Sequence, residues 1–147
     1  MPVPPETIAI AADHGGVALK ETLIAVMEAR GLTVLDLGTN TEEAVDYPDF
    51  AERVVAAIIE GRAGRGVLLC GSGIGMSMSA NRHPEIRAAL VSDPEVAGLA
   101  RQHNNANVLV MGGRFTSPDV AKTCLSIFLD TEFEEGGRHE RRVAKMS

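Results

Sequence analysis

Five short apolar runs, each followed by a longer stretch of helical periodicity, constrain this chain more than any other feature of its sequence. Ile8–Ala12 reads as a first buried strand. Residues 17–30 then place Leu19, Leu23 and Met27 four apart, a helical stripe stopped by Gly31. Thr33–Asp36 is a second strand, and a loop with Gly38, Asn40 and Pro48 leads into a helix carrying Phe50, Val54 and Ile58, closed by Gly61 and Gly64. Gly66–Cys70 is a third strand, wholly apolar and therefore central. A glycine-rich turn comes next, then a short helix over 74–81, a strand over 86–91, a helix over 94–102, a strand over 108–111 and a last helix over about 117–129. Strand–helix units in this succession predict an α/β, doubly wound (Rossmann-like) fold: a five-stranded parallel sheet with helices on both faces. The whole chain, 1–147, reads as one domain, with an N-terminal extension over 1–7 and a basic C-terminal arm over 130–147 that carries Arg138, Arg141, Arg142 and Lys145.

Composition narrows the function. The net charge is −6, and the chain has no Trp, one Tyr and four Phe, so it lacks both the basic footprint and the stacking aromatics of nucleic-acid binders. No apolar run approaches the roughly 18 residues needed to cross a bilayer. The first residues, Met1 to Glu6, have no basic stretch followed by an apolar one, and so do not read as a secretory signal. Two cysteines, Cys70 and Cys124, make no metal-type cluster. These features predict a cytoplasmic protein with reduced thiols, no metal, and no nucleic-acid or membrane partner.

In an open parallel sheet, ligands bind beyond the carboxyl ends of the strands, where helix N-termini present free backbone N–H groups. Asp13-His14-Gly15-Gly16 follows the first strand, Gly71-Ser72-Gly73-Ile74-Gly75 follows Cys70, and Gly112-Gly113-Arg114 follows the fifth. One sheet edge thus gathers a carboxylate, an imidazole, a thiol, a hydroxyl and a guanidinium. The glycine loop is not a dinucleotide fingerprint, because Met76 stands where the last glycine belongs. No Gly-Lys-Ser/Thr follows for a P-loop, and no nucleophile elbow is present. Two readings of it stand: a tight strand-to-helix turn, or a cradle of N–H groups for an oxyanion or phosphate.

Cys70 can be a small core hydrophobe, but a helix N-terminus favours a thiolate at its place. Cys124, inside a helical pattern, reads as packing, and His83, before Pro84, as a surface residue. His103 closes the fourth helix, on the opposite edge of the sheet from Cys70. A catalytic His103 therefore serves a neighbouring subunit's site. Arg138 and Arg142, four apart, share one face if the tail is helical and can then reach one anion.

Asp13-His14-Gly15-Gly16, Asp46-Tyr47-Pro48, Cys70 through Gly75, Arg101-Gln102-His103-Asn104 and Gly136-Gly137-Arg138-His139 occur in this order across nearly the whole chain. Together they resemble the type B ribose-5-phosphate isomerases and their relatives acting on galactose, allose and tetrose phosphates. The resemblance implies that Cys70 is the base that moves a proton between C2 and C1 of the sugar. It implies that the loop with Gly71, Gly73, Ile74 and Gly75 holds the enediolate, with the Ser72 hydroxyl as an oxyanion donor. His103 matches the residue that opens the cyclic sugar, with Asp13 and Tyr47 lining the same pocket. His14, Arg114, Arg138 and Arg142 match the phosphate-binding set, and Asn104 a substrate contact. One branch of the family places a glutamate base just after the glycine loop; here that position is Met76, which leaves the role to Cys70. Ser72 stands where many members have threonine and keeps the hydroxyl.

The implied reaction is aldose–ketose exchange between D-ribose 5-phosphate and D-ribulose 5-phosphate, with no cofactor. Implied too is a homodimer, sometimes a tetramer, with sites shared between subunits. Erythrose 4-phosphate, allose 6-phosphate and galactose 6-phosphate share the reacting end and the phosphate, so they are alternative substrates. A non-catalytic phosphosugar-binding module is the alternative outside enzymes.

Overall fold

The computed structural model describes residues 6–146. Strands β1 (Thr7–Ala12), β2 (Thr33–Asp36), β3 (Arg65–Cys70), β4 (Ala88–Leu90) and β5 (Val108–Gly112) are all parallel, in the order β2-β1-β3-β5-β4. Helices α1 (Val17–Ala29), α2 (Tyr47–Ile59), α3 (Ile74–Ala80) and α4 (Pro94–Gln102) connect them. Helix α5 (Pro118–Asp130) follows the last strand, and α6 (Arg138–Met146) ends the described chain. This is the doubly wound α/β fold expected.

Successive strand residues point to opposite faces, and both faces of the central strands are covered, which is why β1, β3 and β5 are apolar at every buried position. On one face Ile8, Ile10, Val67, Leu69, Leu109 and Met111 pack under α1, α4 and α5, against Leu23, Met27, Leu125 and Phe128. On the other, Ala9, Ala11, Leu68, Val108 and Val110 meet α2 and α3 through Val54, Val55 and Met76. Cys124 is fully buried in the first of these layers, as packing.

The strand order places the site. From β1 the chain steps outward to β2, then returns across β1 to β3, so the direction of winding reverses between β1 and β3. Helix α1 leaves β1 on one face and α3 leaves β3 on the other, which opens a crevice between their ends. In register, Ala12 sits beside Leu69 and Cys70 beside Gly112, so three strand ends finish level.

Four details differ from the sequence reading. Of the expected N-terminal extension, residues 1–5 lie outside the described residues, while Glu6 pairs with Arg65 and Thr7 already belongs to β1. β4 is shorter than 86–91, because the Ile86 N–H closes a turn on the His83 carbonyl and the Arg87 N–H goes to Asn107 Oδ1. The arm contains a helix, α6, whose single buried side chain is Val143. The arm is also not basic throughout: Glu132, Glu134 and Glu135 precede α6, and the cations are confined to the helix. Backbone and side-chain bonds tie the arm to the end of α4, with the Glu134 N–H on the Gln102 carbonyl and Arg101 Nε on the Thr131 carbonyl. No helix among the described residues is long and apolar enough to cross a membrane.

Phe128 anchors the first core layer, fully buried, with the guanidinium carbons of Arg65 and Arg101 5.3 and 5.8 Å from its ring centroid. Phe128→Ala is expected to cost about 3–5 kcal/mol of stability in urea unfolding, the range for emptying an aromatic core position. A loss below about 1 kcal/mol would contradict this packing.

Candidate active site

Three loops meet beyond the level strand ends. The Gly113 N–H donates to the Cys70 carbonyl (2.7 Å), the Arg114 N–H to the Gly71 carbonyl (3.0 Å) and the Asp13 N–H to the Leu69 carbonyl (3.0 Å). The loops touch backbone to backbone. A Cβ on Gly113 would lie 2.5 Å from the Gly15 carbonyl oxygen, and one on Gly15 would lie 3.0 Å from the Gly71 nitrogen. Only residues without side chains allow that approach. Gly73 serves the turn instead, and at φ 82° it swings the chain from β3 into α3.

These loops line a cleft of about 480 Å³ that brings together Asp13, His14, Tyr47, Cys70, Ser72 and Arg114. Gly71, Ile74 and Gly75 line it as well. Gly73 is buried beneath them and takes part through its N–H, which donates to Cys70 Sγ at 3.1 Å. Cys70 is itself buried, 4% exposed. Ser72 Oγ accepts from the Ile74 N–H at 3.2 Å, which leaves its own proton free to donate. Asp13, also buried, accepts the Gly15 N–H at 2.8 Å and so fixes the first loop. Arg114 lies over Gly71, with Nε 3.3 Å from where a Cβ would stand. A cysteine sulfur in this place can, as the thiolate, take a proton and return it, while the neighbouring hydroxyl and guanidinium stabilise the anion formed between.

The remaining residues expected at the site lie elsewhere in the same chain. Asn104 is exposed and borders a separate hollow of about 500 Å³ along β4, with His83, Arg87 and Met146. His103 is half-buried at the end of α4 and stacks on His139, ring centroids 3.9 Å apart and planes 8° apart. Arg138 and Arg142 are exposed on α6. Burial, His103 and the Arg138 guanidinium hold His139 below the ordinary imidazole range, Glu134 opposing and Arg142 adding to the effect. His103, Glu134 and His139 also offer ligand atoms within 4.8 Å of one another. Parallel stacked rings, however, aim their in-plane lone pairs side by side, which does not converge on one metal ion.

A family model described as Ribose/Galactose Isomerase matches residues 8–146. The chain belongs to that family. It is 50% identical to a ribose 5-phosphate isomerase of Thermotoga maritima of known crystal structure, with a TM-score of 0.93 over 96% of this chain and 97% of that one. It is 42% identical to ribose-5-phosphate isomerase B of Escherichia coli, over 92% of this chain and 91% of the relative. It is also 44% identical to the D-erythrulose-4-phosphate isomerase of Pectobacterium atrosepticum, over 89% and 87% of the two chains. The protein is thus a sugar-phosphate isomerase.

The isomerase cleft also contains residues that the sequence did not single out. Met78 and Phe115 line its rim, and Phe115 is 78% exposed, a large apolar surface that no described residue covers. Lys20 is buried among the α1 stripe behind the first loop.

Tyr47 packs hard on the glycine loop, for a Cβ on Gly75 would fall 2.4 Å from its Cζ. It is the chain's one tyrosine, and there is no tryptophan, so near-ultraviolet signals report this wall of the cleft with little else. Gly75→Ala is expected to change the tyrosine circular dichroism and to lower isomerase kcat/KM at least about tenfold, because displaced side chains cost positioning. The far-ultraviolet spectrum should stay unchanged. Native tyrosine signals and native turnover would show that the contact has no functional weight.

Proposed function

We propose that this isomerase interconverts D-ribose 5-phosphate and D-ribulose 5-phosphate, with Cys70 as the base and a second copy of the chain completing each site. The observation that carries the reading is the Gly73 N–H aimed at Cys70 Sγ inside the cleft, with Met76 at the position of the alternative base. The Thermotoga and Escherichia relatives, both named for ribose 5-phosphate, supply the substrate.

In the open-chain aldose, the Cys70 thiolate takes the proton from C2. The electron pair left behind forms the C1–C2 double bond, and O1 becomes the oxyanion of an enediolate. The Ser72 hydroxyl and the loop's remaining backbone N–H groups are the donors for that charge, those of Gly73 and Ile74 being engaged by Cys70 Sγ and Ser72 Oγ. Cys70 then returns its proton to C1, while the O2 hydroxyl proton passes to O1 and O2 becomes the ketone oxygen. A positioned base contributes about 10²–10⁴-fold, and one oxyanion donor roughly 2.7–4 kcal/mol. Asp13 and Tyr47 border the sugar, and His14 and Arg114 take the phosphate, whose binding energy can be spent on orienting the reacting carbons.

His103 for ring opening, Asn104 for the sugar, and Arg138 and Arg142 for the phosphate come from the second copy. Two observations favour this. All four lie off the cleft in their own chain, and the cleft's rim exposes Ile74, Met78 and Phe115, apolar side chains that a partner would cover. Both cysteines are free and buried, which suits a reducing, cytoplasmic setting.

Relatives named for pentose and tetrose phosphates match this chain almost equally, so substrate length is decided by turnover. Purified protein should show its highest kcat/KM with D-ribose 5-phosphate when D-erythrose 4-phosphate and D-allose 6-phosphate are assayed beside it. A preference for either of the others overturns the pentose assignment. Cys70→Ala is expected to lower kcat by about 10²–10⁴-fold in a folded protein, and activity near that of the unsubstituted enzyme overturns the base.

A further inference from the structure

Lys20 is 1% exposed, and a lysine buried to that degree is rare unless fully paired. Here each of its three N–H donors has an acceptor: Asp36 Oδ1 at 2.7 Å, Asp36 Oδ2 at 2.8 Å and Asn40 Oδ1 at 2.7 Å. An apolar side chain could fill the same space, but it could not bind two points of the loop after β2 at once. Asp36 is itself tied into that loop, accepting the Gly38 N–H at 3.0 Å. The loop in turn runs along the end of β1. The Leu37 N–H donates to the Ile10 carbonyl, the Ala12 N–H to the Gly38 carbonyl and the Thr39 N–H to the Ala12 carbonyl.

The far end of the same segment reaches the cleft. The Val45 N–H donates to His14 Nδ1 at 3.2 Å, and two residues later Tyr47 opens α2. A neutral imidazole that accepts at Nδ1 carries its proton on Nε2. The free edge of His14, a residue lining the cleft with Arg114, is therefore a donor, the polarity that a phosphate oxygen needs.

We propose that Lys20 is a positioning residue for the phosphate end of the substrate: it pins Asp36 and Asn40, and the segment that runs on from them to Val45 holds His14 in the tautomer that donates from Nε2. This rests on the reading of His14 as a phosphate ligand. Lys20 touches no substrate, and its effect passes through the loop.

Lys20→Met keeps the apolar stem and removes the ammonium. Nitrogen-15 shifts of the His14 ring give the tautomer directly, and inorganic phosphate, as a competitive inhibitor, reports the phosphate end. The variant is expected to turn a single Nε2–H form into a mixture. The phosphate inhibition constant and the KM for D-ribose 5-phosphate should rise about three- to tenfold, the scale of one hydrogen bond, with kcat within about twofold. A folded Lys20→Met protein that keeps the single tautomer, or that keeps the original phosphate inhibition, overturns the proposal. If Lys20→Met does not fold, Asn40→Ala serves. It removes one of the three acceptors at an exposed position, and the same shifts are expected at smaller size; their absence overturns the proposal equally. His14→Ala separates the two readings. Unchanged phosphate inhibition in that variant removes His14 from the phosphate site, while the tautomer in Lys20→Met still reports whether Lys20 acts on the ring.

Discussion

Everything at this site depends on three loops lying close enough for their backbones to touch. The register that sets Ala12 beside Leu69 and Cys70 beside Gly112 brings the loops after β1, β3 and β5 to one height, and parallel pairing keeps them there. Gly15 and Gly113 then let the first and third loops meet with no side chain between them. Between them, the middle loop sets the Gly73 N–H on Cys70 Sγ, with Ser72 and Arg114 facing the same space. A methyl group at either glycine would separate the loops by more than hydrogen bonds at these lengths tolerate.

Much of this was readable in the chain itself. The alternation of apolar runs with helical stripes carried the sheet, since strands covered on both faces have no polar side to show. The rule that ligands bind beyond strand ends selected Asp13, His14, Cys70, Ser72 and Arg114, and the fold brings those five to one cleft. Less was legible where tertiary contacts decide. Helix α6 is highly charged, with Val143 alone buried, so its pattern reads as a solvated face until the bonds joining Thr131 and Glu134 to α4 and the stacking of His139 on His103 are seen. The start of β4 turned on side-chain capture of one N–H by Asn107, which no periodicity announces. Lys20 was hidden by its neighbours: among Leu19, Leu23 and Met27 a lone lysine looks like noise, and only the oxygens of Asp36 and Asn40 give it meaning.

The division between the cleft and the far edge has a physical logic. In the proposed mechanism, proton transfer uses the buried Cys70 and the donors of the glycine loop, which the level strand ends bring together. The residues proposed for ring opening and for further phosphate contacts, His103, Arg138 and Arg142, lie at the end of α4 and on α6, off the cleft of their own chain. In the proposed assembly a single chain carries two half-sites facing different ways, and the exposed Phe115, Ile74 and Met78 are apolar surfaces that the second copy covers.

Complementation between inactive subunits tests this account most directly. Cys70→Ala subunits and His103→Ala subunits, each nearly inactive alone, are co-refolded in equal amounts and assayed for isomerisation of D-ribose 5-phosphate. Random pairing makes half of the dimers mixed, and each of these has one site with both Cys70 and His103 intact, so the account predicts recovery of about a quarter of the unsubstituted activity. Activity that stays at the level of the separate variants would contradict it.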